Sequence, residues 1–239
     1  MAHEKTRAMM QGPAIDFNRP GLERQLPAYI QSLEKRAATD SKAAALLEAD
    51  RFFLEQKRNV RHVLPNVTFA DRMTIAMGDR NIEVLNYGRA VTPGDTFVYL
   101  PREKMLLLGD LIVNPITFAL SGYPTEWLAA LERIDRLDAT TNVTGHGPPL
   151  HDKQLLHDTM DVFRVLLREG RASKARGLTA DQARDAVMPQ LHDVMVRATG
   201  NDAARNAAFR QQLVDWYLHR VYEELDGPLT DAIAPIPPE

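Results

Sequence analysis

The stretch from Asn86 to Gly147 constrains this chain more than any other part of it. It reads NYGRAVTPGD, then TFVYLP, then KMLLLGDLIVN, then a helix-patterned segment, then NVTGHGPP. Asp110 lies in Gly109-Asp110-Leu111 and His146 in Gly145-His146-Gly147, each after a short β-rich run and each flanked by glycine. Strand ends that run into glycine turns are where α/β folds place polar groups facing a shared cleft. Glycine there permits backbone angles that other residues resist.

The combined run GRAVTPGDTFVYLPREKMLLLGDLIVN followed by NVTGHG resembles the C-terminal half of a metallo-β-lactamase superfamily hydrolase. In that family the first turn usually reads HTPGD, with the histidine on a metal. The aspartate of GD bridges two metal ions and the histidine of GHG binds the second. The resemblance therefore implies Asp110 as the bridging carboxylate and His146 as the last imidazole ligand. It departs at Val91, which stands where the family has histidine and carries no donor atom. The family's leading His-x-His-x-Asp-His signature is absent, since no two of the seven histidines are spaced His-x-His. The resemblance implies a partner half N-terminal to Met1 and a reading frame that begins part-way through a fold.

Zinc is the cofactor this family implies. A bridging carboxylate suits hydrolysis, because a water held between two cations is acidified toward neutral pH. A catalytic zinc takes about three protein ligands plus an open position. Two ligands, one of them meant to be shared, imply weak or absent binding in this chain. The implied function is a hydrolase lineage in which metal-activated water attacks an ester, lactone, thioester or amide carbonyl of a small molecule, impaired here by missing ligands. The alternatives are a non-catalytic remnant used as a binding or assembly module, and one half of a split hydrolase completed in trans.

The expected fold class is α/β: a partial αββα sandwich of metallo-β-lactamase type, supplying the second β-layer and its covering helices, with a C-terminal helical extension. The expected divisions are 1–177 for the incomplete domain, 178–227 for the extension and 228–239 for a tail. Apolar spacing predicts helices over 21–37, kinked or split at Pro27, and over a following segment capped by Asp40 or Ser41. Alternation predicts strands at Met73–Met77 and Ile82–Asn86 around a turn, then Phe97–Leu100 and Met105–Leu108. The run Met105-Leu-Leu-Leu108 is apolar on both faces, which predicts a strand covered on both sides. Further helices are predicted over 124–137, 151–169 with Gly170 as its cap, 180–197 bent at Pro189, and 202–225. Thr179 to Gln182 reads as a capping box. With the first layer missing, Ile75, Leu85 and Val98 are expected on an uncovered sheet face, which predicts self-association or a homo-oligomer.

Composition narrows the partners. A net charge of −3 gives no pull toward nucleic acid or anionic membrane, and no apolar run approaches the ~18 residues of a membrane span. Absent cysteines rule out thiolate zinc sites and disulfides. The start carries no signal-peptide pattern, so the expected location of the chain as given is cytoplasmic. Thr92 and Asp95 are expected to stabilise the Pro93-Gly94 turn. His151 and His157 are expected in solvent, and His3 and His62 without partners. Trp216 and Tyr217 are expected in helix packing.

Overall fold

The computed structural model describes residues 1–11, 26–59, 63–119 and 121–231. The chain divides into two compact units, one of residues 7–67 with Met1, the other of residues 2–6 and everything from Thr68 onward.

The first unit is a helical hairpin. Helix α1 spans Glu4–Met10; α2 spans Leu26–Arg36 and α3 spans Ser41–Asn59. Pro27 is the second residue of the described α2, and the expected kink depends on the turn before it. Residues 21–25 of the predicted helix lie outside the described residues. Asp40 ends the intervening turn and caps α3, its carboxylate accepting the N–H of Lys42 at 3.0 Å and of Ala43 at 3.1 Å. Ile30, Leu33 and Ala43 are buried within the hairpin.

Among its described residues the second unit holds two sheets. Strand β1, Ala2–His3, pairs in parallel with β2, Thr68–Phe69. The larger sheet runs β3 (Arg72–Met77), β4 (Arg80–Leu85), β5 (Phe97–Leu100), β6 (Met105–Gly109) and β7 (Thr141–Thr144), in that spatial order. The first four strands form an antiparallel meander, and β7 lies parallel to β6. A parallel pair needs a crossover, and α4, Pro124–Asp135, provides it. Pro124 stands in the first turn of that helix and Trp127, Leu131 and Ile134 form its buried stripe.

Cross-strand register sorts the sheet's side chains onto two faces. Leu85 pairs with Phe97, Tyr99 with Leu106, and these lie with Leu108 on the face packed under helices. Val84, Val98, Leu107 and Val143 share the opposite face with Ile75 and Ile82. Two expectations change as a result. Leu85 is buried on the helical side, because alternation puts it out of phase with Ile75 and Val98. Leu107 is 36% exposed, so β6 is covered less fully on that side than on the Leu106 and Leu108 side.

The remaining helices are longer or more broken than their periodicity predicts. Helix α5 runs Gln154–Ala175 and passes through Gly170. That glycine is buried inside the helix, where a Cβ would meet Val221 Cγ1 at 2.8 Å; Gly170 serves close packing, and Gly177, at φ +76°, lies in the turn that follows the helix. Thr179 and Gln182 complete the predicted capping box at the start of α6, Ala180–Val187. A 3₁₀ turn over Met188–Leu191, carrying Pro189, separates α6 from α7, His192–Thr199, so the predicted bend is a break. The last predicted helix is three segments: α8 (Ala203–Ala208), a π-helical turn (Phe209–Asp215) and α9 (Trp216–Asp226). Phe163 stacks on Tyr217 with ring centroids 4.1 Å apart, and Trp127 meets Phe163 edge-on at 4.8 Å. The C-terminal helices therefore share one hydrophobic core with the sheet's helical face. Among the described residues no helix is long and apolar enough to cross a membrane.

Candidate metal-binding pair

Strands β6 and β7 lie side by side and parallel, so their C-terminal ends open on the same edge. The turns that follow them carry Asp110 and His146. The imidazole Nε2 stands 3.6 Å from Asp110 Oδ1, and both side chains are more than half exposed. Residues 36 apart in sequence are brought within reach of a common ion because a single crossover joins adjacent strands.

Glycines make this approach achievable. A Cβ on Gly145 would lie 1.9 Å from Asp110 Oδ1 and 2.9 Å from the Gly109 carbonyl carbon. The Gly145 N–H donates to Gly109 O at 2.7 Å, tying the two turns together. Gly109 itself has φ +55°, a left-handed conformation that favours glycine. Further anchors were not evident in the motifs. The Asn114 N–H donates to His146 O at 3.4 Å, and the Thr144 hydroxyl donates to the same carbonyl at 2.5 Å. Trp127 Nε1 donates to Leu111 O at 3.2 Å and fixes the turn after Asp110 from below. The Asn114-Pro115 dipeptide is the turn signal that marks this loop in the sequence.

The neighbouring turn, residues 91–95, is built as a closed structural unit. Thr92 donates its N–H to Asp95 Oδ2 at 2.9 Å and its hydroxyl to Asp95 Oδ1 at 2.5 Å. Burial raises the Asp95 carboxyl above the usual carboxylate range; the Thr92 and Val91 hydrogen bonds oppose the rise, and the Asp110 charge adds to it. Val91 is partly buried against the main core. Gly94 receives helix α1 at close range: a Cβ there would lie 2.2 Å from Thr6 Oγ1, and that hydroxyl donates to Gly94 O at 3.2 Å.

Arg89 secures the same loop from its other end. Its guanidinium pairs with Glu126 of α4, donates to Leu229 O at 2.8 Å, reaches Asp231 at 3.1 Å and stacks over Tyr123. The Arg89 hydrogen bond holds the Glu126 carboxyl below its ordinary range against the cost of burial.

His157, His3 and His151 take ordinary places. His157 is exposed, but its Nε2 meets Asp135 at 2.9 Å and joins α5 to the end of α4. His3 is buried edge-on against Phe69, its Nδ1 accepting the Lys5 N–H. His151 is exposed, and His62 lies outside the described residues. Among the described residues no three histidine, aspartate or glutamate side chains converge on one point. Among the described residues the pair places one carboxylate and one imidazole together at 3.6 Å, where a catalytic zinc takes about three protein ligands.

No protein-family model and no curated protein matches the sequence. Several solved structures are similar to parts of the fold. A metallo-β-lactamase from Pontibacter korlensis is 29% identical over 46% of this chain and 54% of its own, with a TM-score of 0.40. The sec-alkylsulfatase Pisa1 from Pseudomonas sp. is 17% identical over 71% of this chain and 28% of its own, at 0.48. The DIM-1 metallo-β-lactamase is 20% identical over 48% of this chain and 55% of its own, at 0.38. The chain thus spans about half the length of the lactamases it matches. The fold is α/β, a sheet with covering helices, similar in part to metallo-β-lactamase structures.

Proposed function

We propose that the chain descends from a metal-dependent hydrolase of metallo-β-lactamase type and supplies the Asp110 and His146 side of its centre. The supporting observation is their convergence: two motif residues, each at a strand end, meet at 3.6 Å across a glycine that leaves no room for a side chain. An adjoining carboxylate and imidazole are a donor set for a divalent cation of the zinc class. Two donors do not make a catalytic zinc shell, so no hydrolytic step is assigned to this chain by itself. Its cation affinity is weak, and carbonyl hydrolysis of an ester, lactone, thioester or amide requires ligands from a second segment, which would make it one half of a split hydrolase.

A second reading is favoured by Val91. It offers no donor and packs partly against the core. On this reading the fold persists as a binding or assembly module without catalysis.

Elemental analysis of purified chain, before and after dialysis against chelator, tests the ligand count. The expected result is well under one zinc per chain, falling further in Asp110→Ala and His146→Ala. Two zinc ions per chain held through dialysis would refute that count. Residual zinc equal in wild type and both variants would favour the non-catalytic module.

A further inference from the structure

The π-helical turn Phe209–Asp215 lies far along the chain from Asp110 and His146, yet it holds the loop between them. In an α-helix the Trp216 N–H would bond to the Gln212 carbonyl four residues back. Here it reaches Gln211 O, five residues back, as well as Leu213 O. The bypassed Gln212 carbonyl accepts the N–H of Ala119 at 2.9 Å, from outside the helix. Phe118, 42% exposed, lies against Trp216 with ring centroids 6.2 Å apart. Ala119 itself is fully buried, so its N–H needs a partner. The same loop continues back to the pair: Val113 donates its N–H to Thr117 Oγ1, and Asn114 donates its own to His146 O. Ion pairs pin the π-turn in place, Arg210 with Asp185 at 2.6 Å and Asp215 with Arg184 at 3.2 Å.

We propose that this π-turn is a positioning element: the extra residue in the helix frees the Gln212 carbonyl to seat Ala119, and through the 113–119 loop it sets where His146 stands relative to Asp110. Deviations of this kind cost regular helical hydrogen bonds and occur frequently at functional sites. The proposal concerns geometry and holds whether or not the pair binds a cation.

Deleting Gln211, an exposed residue, removes the extra residue and returns the Gln212 carbonyl to Trp216. Amide exchange and histidine ring resonances followed by NMR read the consequence without metal. In the wild type the Ala119 amide is expected to be protected. In the deletion variant it should exchange about tenfold faster or more while the amides of α4 and α5 stay protected, and the His146 ring resonances should shift. Phe118→Ala, a change at an exposed side chain, should raise Ala119 exchange without altering the helix. An unprotected Ala119 amide in the wild type would overturn the proposal whatever the variants do. A folded deletion variant with an opened Ala119 amide and unmoved His146 resonances would overturn the positioning role. Zinc binding plays no part in either readout, so failure here is separable from failure of the hydrolase reading.

Discussion

A methyl group on Gly145 would lie 1.9 Å from a carboxylate oxygen and 2.9 Å from a backbone carbon. Asp110 can rotate away from the first contact, but the Gly109 backbone is held by the β6–β7 ladder and cannot retreat. Gly145→Ala is therefore expected to separate the pair and to cost about 1–3 kcal/mol through overpacking. Urea unfolding should show a lowered midpoint with an unchanged slope. An unaltered midpoint would mean that the two turns do not approach this closely. The motif GHG already pointed to this position. The reason for its first glycine lies in a residue 35 positions earlier, and no local pattern reports such a contact. Thr92 and Asp95 were likewise legible as a turn, because they bond to each other within four residues. The anchors Asn114 and Trp127 were not, because each bonds to a carbonyl whose position depends on how the strands pair.

At the scale of elements, strands and hairpins were read closely because alternation has a strict period and each turn carries glycine or charged residues. Helix ends were read less well, and Gly170 explains why. A glycine at the close of an apolar stripe is a cap signal, but this one is an interior residue where α5 and α9 touch. A Cβ there would meet Val221 Cγ1 at 2.8 Å and Leu218 Cδ2 at 3.4 Å. Alanine would gain up to about 1 kcal/mol in helix propensity and lose about 1–3 kcal/mol by overpacking, so Gly170→Ala should destabilise on balance. Val221→Ala creates room for the added methyl. The double variant should then be less destabilised than the sum of the singles, a coupling of about 0.5–3 kcal/mol in a double-mutant cycle. Strict additivity would place Gly170 out of contact with α9. The π-turn was illegible for a related reason. Phe209, Leu213, Trp216, Tyr217 and Val221 keep a helical stripe with one extra residue absorbed, and periodicity alone does not register a single insertion.

At the scale of the molecule, the two faces of the large sheet are unequal. One is buried under α4 and α5 with Trp127, Leu131 and Phe163 fully enclosed. The other is built from Ile75, Ile82, Val84, Val98 and Leu107, with Met77 at 59% and Leu107 at 36% exposed. Each large apolar side chain left in water forgoes about 1.5–3 kcal/mol of burial, a sizeable share of a net stability of about 5–15 kcal/mol. Sheets meet such a face by packing against another layer at about 10 Å. Purified chain is accordingly expected to self-associate in gel filtration with light scattering. Met77→Lys combined with Leu107→Lys should shift it toward monomer. A lysine at either position can lay its stem along the sheet and keep its ammonium in water, so the change weakens association without opening the buried core. The unfolding midpoint of the monomeric variant at low concentration should stay close to that of the wild type. A wild-type chain that elutes as a sharp, cooperatively unfolding monomer would show that this face needs no cover, and the expectation of a second layer packed on it would fall.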